Sequence, residues 1–113
     1  MDSVTLLATG ILPTAIGLLF QGNGQQAGGL GGTFGDGLLC VNQNVLRLSI
    51  RNASGGSVAF GYSVPGDPGI ASQGQVPASG ATRYYQHWYR DAAPFCTAGT
   101  FNLTNAVRID WLP

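Results

Sequence analysis

The chain has 113 residues, with five Arg, five Asp, no Lys, no Glu and a net charge of zero. Its 18 glycines, about 16% against a typical ~7%, argue against a long helical architecture, and the missing Lys and Glu remove the best polar helix formers. Balanced charge leaves no footprint for nucleic acid or anionic lipid, while 44% hydrophobic residues exclude disorder and imply one domain, residues 1–113, with its own core.

Asp2 stands where a secretory signal would carry base. The apolar run over residues 4–20 is broken at Thr9-Gly10 and Pro13-Thr14. It therefore reads as two strands, 3–8 and 16–21, joined by a turn, and not as a membrane-spanning helix of ~20 residues. Residues 22–37, GNGQQAGGLGGTFGDG, hold eight glycines and read as a long surface loop. Gly22-x-Gly24-x-x-Ala27 imitates a dinucleotide fingerprint, but more glycine follows it where that motif opens a helix. No cofactor is expected.

Strands are expected next at 38–41 and 45–51. In the second, Leu46, Leu48 and Ile50 alternate with Arg47, Ser49 and Arg51, the period of a strand with one wet face. Asn52-Ala53-Ser54-Gly55-Gly56 then predicts a turn into a strand at 57–64, the two forming a hairpin. After the break at residues 65–69, a weak strand is expected over 70–76. The aromatic strand ATRYYQHWYR occupies 81–90, and strands at 100–103 and 106–112 close the chain. No ten-residue stretch carries a 3.6-residue apolar period. Turn signals every ~8–12 residues favour a single antiparallel β-sandwich, jelly-roll-like or Greek-key, of eight to nine short strands. Leu46, Leu48, Ile50, Val58, Phe60, Val107, Ile109 and Trp111 are its expected core.

The two cysteines, Cys40 and Cys96, form neither a CxxC nor a metal-ligand cluster, so a disulfide closing about 57 residues is expected, worth ~4 kcal/mol in the chain-entropy model. Asp36 and Asp67 are lone carboxylates in turns, short of the six to eight oxygens calcium takes. No metal site is expected. His87 is the single histidine; without a Gly-x-Ser-x-Gly elbow, and with every carboxylate alone in sequence, neither a hydrolase nor a paired-carboxylate glycosidase is indicated.

The aromatic strand is the densest chemistry in the chain. Alternation puts Arg83, Tyr85, His87 and Tyr89 on one face and Tyr84, Gln86, Trp88 and Arg90 on the other. The Trp88 face is expected to point into the sandwich. The first set is the candidate binding strip, where flat rings with polar edges can stack on a sugar or a partner protein at small ordering cost. Alternatively, it is a second small core if the glycine-rich loop folds over it.

Four stretches, GLLFQGNGQ (17–25), FGDGLLCV (34–41), TRYYQHWYRD (82–91) and FCTAGTFNLTNAVRIDWLP (95–113), together resemble the C-terminal β-domain that recurs in large secreted proteins of planctomycete-type and related bacteria. The resemblance spans nearly the whole chain and both cysteines. It implies an extracellular or cell-surface domain attached to a longer protein, and it carries no catalytic residues. A non-catalytic module for attachment, adhesion or assembly is the function expected. Its partner would be a protein, a second copy of the chain or a glycan, with carbohydrate binding through the aromatic strand as the alternative.

Overall fold

A computed structural model describes residues 4–11, 14–25, 32–34, 37–90 and 101–112. In chain order the strands are β1 (Thr5–Ala8), β2 (Ile16–Gly22), β3 (Gly24–Gln25), β4 (Gly32–Phe34), β5 (Gly37–Leu39), β6 (Val41–Asn42), β7 (Leu46–Asn52), β8 (Val58–Gly61), β9 (Ala81–Arg90), β10 (Phe101–Leu103) and β11 (Val107–Trp111). One helical turn, α1 (Ile70–Gln73), lies between β8 and β9. Among the described residues no helix is long and apolar enough to cross a membrane.

The longest strand, β9, forms where aromatic residues run without glycine or proline. It is flanked on one side by β2, which pairs in turn with β7, and on the other by β10 and β11 laid end to end. All pairings in this five-stranded sheet are antiparallel. A second antiparallel sheet is the pair β1–β8. Seven strands among the described residues thus make the two sheets, against the eight or nine expected. Two small ladders, β3–β6 and β4–β5, account for the rest.

Connectivity corrects two expected local pairings. β1 does not pair with β2, nor β7 with β8; each chain segment crosses from one sheet to the other, so that β1 meets β8 in one layer while β2 meets β7 in the other. The crossings are tied to each other by backbone bonds from Ile11 N–H to Gly56 O at 3.2 Å and from Ala53 N–H to Ala15 O at 2.8 Å. Ile11 and Ala53 are buried there. Turn residues mark where a strand ends, but an arch and a hairpin use the same residue types, and only the burial of both apolar faces selects the arch.

Leu19, Leu48, Phe60, Ile70 and Tyr85 form the main core, with Val4, Leu6, Leu46, Ile109 and Trp111 against it. It lies between the five-stranded sheet and the cover made by β1, β8 and α1. A smaller cluster on the opposite face joins Phe20, Val41 and Leu103 with Leu39, Tyr84, Trp88 and Ala106. The central sheet is therefore covered on both sides.

In β7 the expected alternation holds only halfway. Leu19 pairs with Ser49 and Phe20 with Arg47, leaving Leu48 as the extra residue of a β-bulge. Leu46 and Leu48 both reach the core, but beyond the bulge the phase inverts, and Ile50 is 67% exposed. Arg51, expected outward, turns instead to the core side, with its guanidinium 4.9 Å from the Phe60 ring centroid. There it donates to Ala59 O at 3.0 Å and to Asp67 Oδ2 at 2.7 Å, while Asp67 Oδ2 also accepts from Gly61 N–H at 3.0 Å. Asp67, whose side chain is 7% exposed, is thereby a clasp between β7 and the segment leading into α1. The Arg51 guanidinium holds its carboxyl below the usual carboxylate range.

Further corrections concern 70–76, 22–37 and the core. Residues 70–73 make a helical turn, because their apolar positions do not alternate and Ile70 alone is fully buried. Within 22–37, backbone ladders form at β3 and β4; glycine lacks a side chain but keeps both backbone partners. Val107 is 43% exposed, since the covering sheet does not extend over it. Among the described residues there is no disulfide, and Cys96, the expected partner of half-buried Cys40, lies outside them, as does Asp36.

Candidate functional site

β9 has strands on both edges, and the side chains of its first binding face meet two distinct surroundings. Tyr85, 1% exposed, sits in a closed polar network. Its hydroxyl donates to Gln21 Oε1 at 2.8 Å and accepts from Trp111 Nε1 at 2.9 Å, and Gln21 Nε2 donates to Gly74 O at 2.9 Å. A Cβ at Gly74 would collide with the Gln21 amide, so glycine after α1 lets the turn lie on β2. Every named polar atom here has a partner, as buried polar groups require.

Two residues on, the lattice of partners opens. Leu103 pairs with Trp88 and Val107 with Tyr85, so the three residues 104–106 face only Gln86 and His87. This break between β10 and β11 is a second bulge. Thr104 bridges it: its N–H donates to His87 O at 2.9 Å, and its Oγ1 accepts from His87 N–H at 3.1 Å. On the opposite face Gln86 fastens the same place, donating to Thr104 O at 2.6 Å and accepting from Cys40 N–H at 2.9 Å.

His87 is 5% exposed, and its Nε2 is buried without a hydrogen-bond partner among the described residues. The ring lies against Gly17 of β2, where a Cβ would overlap Nε2 itself; an isolated glycine in an apolar strand marks such a close approach. Burial holds the imidazole pKa below its ordinary value, so the ring is neutral at neutral pH, with one nitrogen a donor and the other an acceptor. Tyr89 stacks beside it, ring centroids 6.4 Å apart and planes 15° apart.

His87 and Tyr89 line a cleft of about 470 Å³ between the two sheets. Its wall runs from β1 across Ser49 to Thr104 and Asn105, and its floor includes Leu19, Val58 and Phe60. Arg51 is the only charged side chain on that lining, and it is engaged by Asp67. The cleft is thus electrically neutral, apolar below and polar at the rim, within the size range of small-molecule sites.

Of the four strip residues expected from sequence, the structure brings His87 and Tyr89 together in the cleft. Tyr85 borders it but is buried in the core network. Arg83 lies apart, half-buried, donating to Thr82 O at 2.9 Å. The strip is covered by β1, β8 and α1, a third outcome beside open exposure and burial under the glycine-rich loop. The opposite face holds Gln86, 2% exposed, and Trp88, half-buried with the Arg90 guanidinium 5.3 Å from its ring centroid. Missed from sequence were Gly17, Ser49 and Asn105; the signals for the first and last were a lone glycine within a strand and the gap between the final two strands.

Fold and site together define a mostly-β domain of two antiparallel sheets with a cleft between them. No family model, curated protein or solved structure matches the chain.

Proposed function

We propose that the protein is a non-catalytic extracellular module by which a larger secreted or cell-surface protein attaches to, or assembles with, a protein partner or a glycan. The observation that carries this reading is the interlayer cleft at His87 and Tyr89, a neutral concavity with rigid rings at its side. Rings held by a sheet bind at small ordering cost. Among the described residues no hydroxyl donates to His87 Nε2, and this supports binding over acyl transfer. The resemblance to the C-terminal domain of secreted planctomycete-type proteins supports the same compartment.

Fluorescently labelled full chain is expected to sediment with bacterial cell envelopes in a saturable manner, and excess unlabelled chain should displace it. Retention no greater than that of an unrelated β-domain would overturn the reading. In an oxidising compartment Cys40 pairs with Cys96. Titration of the unreduced, denatured protein with a thiol reagent should then find no free thiol, and two thiols would refute the pairing.

A further inference from the structure

We propose that the cleft between the sheets is a saccharide site, which takes one neutral pyranose ring, stacked on Tyr89 and hydrogen-bonded by the rim. This rests on the attachment reading above and names its ligand. Three observations converge on that chemistry. First, the lining has no unengaged charge, because Arg51 is committed to Asp67 through two short contacts of 2.5 and 2.7 Å. A phosphate, carboxylate or amine would enter without a counter-charge and lose its hydration. Second, the cleft is too polar at one side for a purely apolar ligand: Ser49, Thr104 and Asn105 line it together with His87. Third, the Tyr89 ring is held by stacking on His87, centroids 6.4 Å and planes 15° apart, beside those polar groups.

A pyranose has the matching division of surface. One face presents C–H groups that pack on an aromatic plane, and its edge carries hydroxyls that both donate and accept. The volume, about 470 Å³, accommodates one or two such rings and not a folded chain. The unpartnered Nε2 of His87 gives the site a polar atom that water or a ligand hydroxyl satisfies after a small displacement of the ring from Gly17. A buried polar atom left without a partner in an otherwise satisfied sheet is itself unfavourable.

Tyr89 and Asn105 separate this site from the fold. Tyr89 is half-buried and Asn105 exposed, and neither is among the residues of the two core clusters. The test is a titration of the isotope-labelled full chain, followed by amide shifts, with glucose, galactose, mannose, N-acetylglucosamine and cellobiose, each in turn. One or more should produce saturable shifts confined to residues 5–11, 49, 87–89 and 104–107. Tyr89→Ala should weaken that affinity about tenfold, as the loss of one stacked ring implies, and Asn105→Ala by a few-fold. Tyr89→Phe, which keeps the ring, should stay within about threefold of wild type.

No saturable shift with any of the five sugars, or shifts confined to surfaces outside the cleft, would overturn the proposal. So would equal affinity in wild type and Tyr89→Ala. Envelope binding that persists alongside a negative titration would remove the saccharide site and leave the attachment function standing. Loss of both would remove the two together.

Discussion

Tyr85 and His87 lie two residues apart on one face of one strand, and sequence alone gives them the same role. Around Tyr85, β11 pairs in register, Trp111 and Gln21 reach the hydroxyl, and α1 closes over Gln21. Around His87, β10 has ended, the bulge at residues 104–106 intervenes, and Nε2 has no partner. One end of the interlayer space is therefore a finished core and the other a cleft. Polar side chains at similar depth thus serve opposite purposes. Where every donor and acceptor is matched the group specifies the fold, and where one is left over it is available to something else.

The sharpest way to break that contrast is to truncate Tyr85. Tyr85→Ala leaves a ring-sized cavity and strands the Gln21 and Trp111 side chains, with an expected loss of about 3–5 kcal/mol. The melting temperature should drop by more than ~10 °C. A fall of only a degree or two in a thermal scan would mean that the closed end is not the stabilising one.

Of intermediate size is the clasp of Arg51 and Asp67, which stands on the cleft side and joins β7 to the segment leading into α1. Asp67→Asn keeps the shape but removes the charge facing Arg51, and urea midpoints should report a loss of about 1–3 kcal/mol at pH 7. Because the folded pKa of Asp67 is depressed, its contribution is complete above about pH 4, where the unfolded carboxyl is ionised. It disappears as pH falls through the lower folded value. The Asn variant should lack that part of the acid-induced decline; an unchanged acid profile would remove the clasp from the stability account.

The smallest effect should fall at the open end. His87→Leu gives up no hydrogen bond at Nε2, so its stability at pH 7.5 should lie within about 1 kcal/mol of wild type. Its signature is in the pH dependence. In the wild type the buried, neutral imidazole has a depressed pKa, so stability is full above about pH 6.5 and declines below it as the unfolded chain takes up the proton. In His87→Leu this slope should vanish from denaturant curves between pH 6.5 and the folded pKa. A loss as large as that of Tyr85→Ala would make both ends one core.

Much of the site was legible in residue types: the aromatic strand 81–90 was read with its observed bounds, and its alternation correctly places Tyr85, His87 and Tyr89 opposite Gln86 and Trp88. What alternation could not say is which layer each face would meet. The larger core was expected on the Trp88 side, whereas β1, β8 and α1 put it on the Tyr85 side. Ile50 was misplaced for a related reason, since a pattern read in steps of two has no term for the extra residue at Leu48.

The sequence by itself determined a mostly-β chain. Glycine and proline stop helices, Lys and Glu are absent, and runs of β-branched and aromatic residues at period two can satisfy their backbone only in ladders. These forces are local and act before any partner strand is chosen. Which strands pair, where the bulges fall, and that one histidine is left facing a cleft were decided only in the tertiary structure. They depend on burying both faces of β9 at once, and that balance is struck between residues at opposite ends of the chain, such as Leu6 and Trp111 against the main core.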